Sequence, residues 1–72
     1  MKFKPGTLVK LVAGYEKYLA WIFIEDVPDY SEYWFDKSHI GLMLGNDYDN
    51  HHVRILVEEQ IISIDPKALE KY

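Results

Sequence analysis

At 72 residues the chain has room for one hydrophobic core, and a chain this short buries only ~60% of the surface its unfolded form exposes. It has no cysteine to staple that core or bind a metal as thiolate, and its formal charge of −4, from 12 acidic and 8 basic residues, disfavours a protein that tracks phosphate backbones. An apolar fraction of 49% with 15% aromatics is unlike a disordered composition, and no run resembles a signal peptide or the ~20 apolar residues of a transmembrane helix, so an ordered, soluble, cytoplasmic domain without membrane contact is expected.

Pro5-Gly6 punctuates the entry to a first strand over residues 7–12, where alternation turns Val9 and Leu11 inward and Lys10 to water. Ala13-Gly14 breaks it, and residues 15–19, two aromatics and two charges with no clear period, read as a turn or irregular crossing. The apolar run at 19–24 is rich in β-branched and aromatic side chains, which favours a strand covered on both faces or with one face awaiting a partner. Residues 25–39 read as a structured aromatic and acidic loop, turned at Pro28-Asp29, with room for a single helical turn near 31–35 capped by Ser31.

In the next strand Ile40, Leu42 and Leu44 are assigned inward and Met43 outward, while Gly41 signals a bulge or a close backbone approach. Turn residues at 45–50 join that strand to Val53–Val57 as a hairpin, and Glu58-Glu59 is a second tight turn. Ile62 and Ile64 then repeat the inward face, leaving Leu56 and Ile61 on the outward phase. Pro66 cannot continue a central strand, so residues 65–68 suit a 3₁₀ turn before a last short strand at 69–72. The reading is all-β: one small barrel domain over residues 1–72, of five to six short strands, a 3₁₀ turn before the last, and one long aromatic and acidic loop. Its inward set is Val9, Leu11, Ile40, Leu42, Leu44, Val53, Ile55, Val57, Ile62, Ile64 and Leu69.

That set already fills a small barrel, so the remaining aromatics must lid its end or meet another chain. Trp21, Phe23, Tyr30, Tyr33, Trp34 and Phe35 interleave with Glu25, Asp26, Asp29, Glu32 and Asp36. Three readings stand open: a lid on an undersized core, a protein-binding surface, or an aromatic cage for a methylated ammonium. The candidate partner-binding residues are Trp21, Tyr30, Tyr33, Trp34 and Phe35, with Trp34 as anchor and Asp29, Glu32 and Asp36 as its rim; the partner is another protein or a second copy forming a homodimer.

His51-His52 beside Asp47 and Asp49 reads as a solvated turn, because adjacent strand residues point to opposite faces, and His39 as a surface or partly buried histidine. No metal and no other cofactor is expected. Ser31, Ser38 and Ser63 lack a nucleophile elbow, and a barrel this small has no deep cleft, so no enzymatic activity is expected.

Pro5-Gly6-Thr7-Leu8-Val9-Lys10-Leu11, the glycine-bearing His39-Ile40-Gly41-Leu42-Met43-Leu44, Val53-Arg54-Ile55-Leu56-Val57 and the ending at 66–70 together resemble the SH3-like barrels, the group that includes SH3, Tudor and KOW-type domains. The Pro-Gly-x-Leu-Val opening and Leu-Glu ending are similar to those of small uncharacterised proteins of marine bacteriophages. The resemblance implies the fold, and as an alternative function a KOW-like nucleic-acid-binding domain using Lys2, Lys4, Lys10 and Arg54. Clustering of those four on one face would favour that alternative; scattering among acids would favour protein binding.

Overall fold

A computed structural model describes residues 3–22, 31–46 and 51–72. Seven strands form from these: β1 (Leu8–Leu11), β2 (Lys17–Ile22), β3 (Ser31–Asp36), β4 (Gly41–Asn46), β5 (Val53–Val57), β6 (Gln60–Ile64) and β7 (Leu69–Lys71), with a 3₁₀ turn at Pro66–Ala68. All pairings are antiparallel and the strand order is β3-β2-β6-β5-β4-β1-β7. The sheet curls around its core as a half-barrel, with β3 and β7 as its two edges.

Val9, Leu11, Val53, Ile55, Val57, Ile62, Ile64 and Leu69 all lie in the core, where the alternation assigns them. The turn between β5 and β6 is the two-residue Glu58-Glu59, with φ of 48° and 66°, the left-handed pair that a type I′ hairpin requires. Asp65 caps the 3₁₀ turn by accepting from the Lys67 N–H at 3.0 Å, Pro66 fits its first position, and Ala68 is buried. The chain then turns into β7, which pairs beside β1.

Three expectations are corrected. First, the sheet has seven strands and is open, not a closed barrel of five or six. The added strand is β3, where a loop with a helical turn near 31–35 is expected: Tyr33 and Phe35 alternate with Glu32 and Trp34, and β3 pairs along all of β2, from Lys17 opposite Asp36 to Ile22 opposite Ser31. That register buries Phe35 completely, which an isolated helical turn could not do. Second, the expected crossing at 15–19 gives way to strand at Lys17, for the same reason.

Third, the phase of β4 is reversed. Met43 is 1% exposed, whereas Ile40 and Leu44 are exposed and Leu42 is half-buried. Gly41 explains the inversion. A Cβ there would stand 2.8 Å from Ile55 Cδ1 and 3.2 Å from Val57 Cγ2, so the glycine must lie under these two side chains and turns its neighbours' phase with it. A register shift between Met43 and Gly45 then adds a bulge opposite β5. The strand ending at residue 24, the Pro28-Asp29 turn and the turn residues 47–50 fall wholly or partly outside the described residues.

Candidate functional site

Because successive strand residues point to opposite faces, every inward set leaves an outward one, and here the outward one is also apolar. Leu8 lies opposite Leu42, Leu42 opposite Leu56, and Leu56 opposite Ile61, an aliphatic row across β1, β4, β5 and β6. Leu8 is 47% exposed and Leu56 and Ile61 are each 38% exposed, so the row faces water. Ile40, just before β4, and Leu44 within it stand two residues to either side of Leu42 and are also exposed. The result is a cross of aliphatic side chains centred on Leu42. The sequence reading reached Leu56 and Ile61 but missed the rest, because the β4 phase conceals it.

At the other end of the same face stand the two tryptophans. Trp21 pairs with Glu32 and Leu19 with Trp34, so the indoles are diagonal neighbours on β2 and β3. They are 38% and 46% exposed. The Lys17 ammonium lies 4.5 Å from the Trp34 ring centroid, a cation–π contact within one chain. Strand parity divides the expected partner-binding residues: Trp21 and Trp34 face outward, Phe35 is sealed in the core, and Tyr33 is half-buried against it. Tyr30 lies outside the described residues. A loop has no parity, which is why the sequence reading grouped all five.

A polar cluster closes one end of the half-barrel. The Asp36 backbone N–H donates to His39 Nδ1 at 3.0 Å, so that nitrogen carries the lone pair and Nε2 the proton. Nε2 lies 2.7 Å from Glu58 Oε1, and the ring stacks on Phe35 at 5.7 Å. The Tyr33 hydroxyl also donates to Glu58. Partial burial, together with the hydrogen bond to Glu58 and the charges of Glu58 and Asp36, raises the Tyr33 phenol well above its ordinary value. Hydrogen bonds from the Ser38 hydroxyl and then its backbone N–H lower the Asp36 carboxyl. The cluster ties the β3–β4 connection to the strained Glu58-Glu59 turn. Both ring nitrogens of His39 are engaged and the Ser38 hydroxyl is given to Asp36, so the chemistry on offer is attachment of one loop to another.

Among the described residues no group of three His, Asp or Glu side chains is placed to hold a metal ion. No family model, curated protein or solved structure matches the chain.

Proposed function

We propose that the chain is a small, non-enzymatic, cytoplasmic protein-interaction module of SH3-like type, which docks on a protein partner through the Trp21–Trp34 corner of its outward face. The observation that carries this is the pair of diagonal tryptophans left at the surface of a chain with few residues to spare. Tryptophan is the side chain most enriched among interface anchors, and Glu32 and Lys17 supply a mixed polar rim. The SH3-like assignment is supported by the 3₁₀ turn that leads into a last strand lying against the first.

The charges support a protein partner over nucleic acid. Lys10 on β1 lies 3.8 Å from Glu70, and β4 separates it from Arg54 on β5, so these cations form no continuous stripe. A non-enzymatic role is supported by the engagement of His39 and Ser38 in loop contacts. The test is capture from extracts of the source cells by wild type and by Trp34→Ala, the melting curve of each being recorded. A discrete partner held by wild type and lost from a well-folded Trp34→Ala is expected. Equal capture by both, or a Trp34→Ala that is unfolded at room temperature, would return the corner to the role of a lid.

A further inference from the structure

We infer that the open edge of β3 takes up an extended, cationic segment of the protein partner as an added antiparallel strand, paired to the backbone of Glu32 and Trp34. The inference rests on the reading of the Trp21–Trp34 corner as a docking site and names the form and charge of what docks there.

The first observation is parity along β3. At its end the Asp36 N–H donates to His39 Nδ1 at 3.0 Å and the Asp36 carbonyl accepts from the His39 N–H at 3.1 Å, so both backbone groups of Asp36 point away from β2. In an antiparallel ladder that direction repeats at every second residue. The N–H and C=O groups of Trp34 and Glu32 therefore also point out from the sheet's edge, and among the described residues none of them makes a hydrogen bond there. Both residues are exposed. Alternating donors and acceptors in an extended row fit one kind of occupant, another extended backbone.

The opposite edge is closed by contrast. Ala68 accepts from the Val12 N–H at 2.8 Å and the Tyr72 N–H donates to Leu8 at 2.9 Å, which leaves Leu69 and Lys71 on the free side of β7. The Leu69 N–H is already given to the Pro66 carbonyl in the 3₁₀ turn, and the strand is only three residues long. β3 has six residues and is closed by His39 at its Asp36 end alone, among the described residues.

The third observation selects charge. Cross-strand pairs share a face, so Glu32, Trp34 and Asp36 stand on the outward side of the edge with Trp21, Leu19 and Lys17. Asp36 has Lys17 opposite it, whereas Glu32 has Trp21 and, among the described residues, no cation within ion-pair distance. A Lys or Arg of the added strand meets the Glu32 carboxylate, and the side chain two residues along lies against the Trp34 indole, where apolar stems and cations both pack. The net charge of −4 draws a cationic segment at long range and disfavours a second copy. With two residues paired, the complex is weak, its dissociation constant between ~10 μM and ~1 mM.

The probe is the synthetic peptide acetyl-Lys-Val-Lys-Val-Lys-Val-Lys-amide, titrated into the ¹⁵N-labelled chain. The amides of Glu32 and Trp34 should shift most and exchange with solvent more slowly when bound. A peptide with Glu in place of Lys should bind about tenfold more weakly, as should the Lys peptide to Glu32→Lys. Antiparallel pairing uses the N–H groups of one parity, here those of the lysines that face Glu32 and Trp34. N-methylation of the lysine amides should therefore abolish binding, and N-methylation of the valine amides should leave it; both arms use the wild-type chain. No shift up to ~1 mM peptide, equal binding of the two methylated peptides, or unchanged binding by Glu32→Lys would overturn the inference. So would shifts at Glu32 and Trp34 that grow with protein concentration before any peptide is added, which would give the edge to a second copy. Equal binding of both methylated peptides that Trp34→Ala abolishes would leave the tryptophan reading standing without the strand. Parity-dependent binding that persists in Trp34→Ala would uphold the strand and fail the indole as anchor.

Discussion

The two faces of the β4–β5 hairpin are made from the same kind of residue and meet opposite fates. Met43, Val53, Ile55 and Val57 are sealed inside, while Leu42, Leu44 and Leu56 look outward with comparable apolar character. Hydrophobicity therefore does not assign a face in this strand pair. What assigns it is the space over Gly41, into which the Ile55 and Val57 side chains descend, and the register that follows from that contact. The inward face is used up in stabilising the fold; the outward face remains exposed to solvent.

The largest effect expected from breaking this contrast lies at the adjacent pair Ile55 and Leu56. Ile55→Ala should destabilise by about 2–5 kcal/mol in chemical denaturation, since it leaves a cavity in a core with few layers to collapse into it. Leu56→Ala should cost clearly less, about 1 kcal/mol, because its side chain is 38% exposed and its loss opens no enclosed cavity. Equal losses at the two positions would mean that the outward face is itself covered.

Gly41→Ala tests the device that sets the β4 phase. The new methyl would meet Ile55 Cδ1 at 2.8 Å inside a packed core, and overpacking of this kind costs about 1–3 kcal/mol, read as a lowered denaturation midpoint. A neutral result would remove the explanation offered for the inversion. A smaller change of opposite sign is expected at the tight turn. Glu59 holds φ at 66°, so Glu59→Gly should stabilise by about 0.5–1 kcal/mol in the same assay.

The smallest effects are confined to the extremes of pH. Tyr33 binds its proton more tightly folded than unfolded, so its contribution is complete below pH 10.0, the ordinary phenol value, and is lost as pH rises above it. Tyr33→Phe should abolish that alkaline loss in a stability–pH profile. Asp36 is lowered, so its contribution is present above pH 3.8 and fades as pH falls below, and Ser38→Ala should shrink that acid-side slope.

Much of the fold is legible in the sequence where polar residues mark the outward phase. Lys10 between Val9 and Leu11 orients β1, Pro66 announces the 3₁₀ turn, and Glu58-Glu59 lies between two apolar runs as a turn should. β4 is not legible, because Leu42, Met43 and Leu44 are apolar on both faces and alternation then has no sign. β3 is hidden for a related reason: Tyr33, Trp34 and Phe35 are aromatic on both faces, and their acidic neighbours resemble a loop. The tryptophan corner can be guessed from residue type alone. The aliphatic cross cannot, since it exists only once four strands are set in register.

The most direct test of the division between an inner face spent on the fold and an outer one left to solvent is the broadening of side-chain methyl signals by a soluble paramagnetic agent. The methyls of Leu8, Leu44, Leu56 and Ile61 should broaden strongly, while those of Leu11, Ile62 and Leu69 stay sharp. Equal broadening of the two sets, or none in the first, would contradict the division.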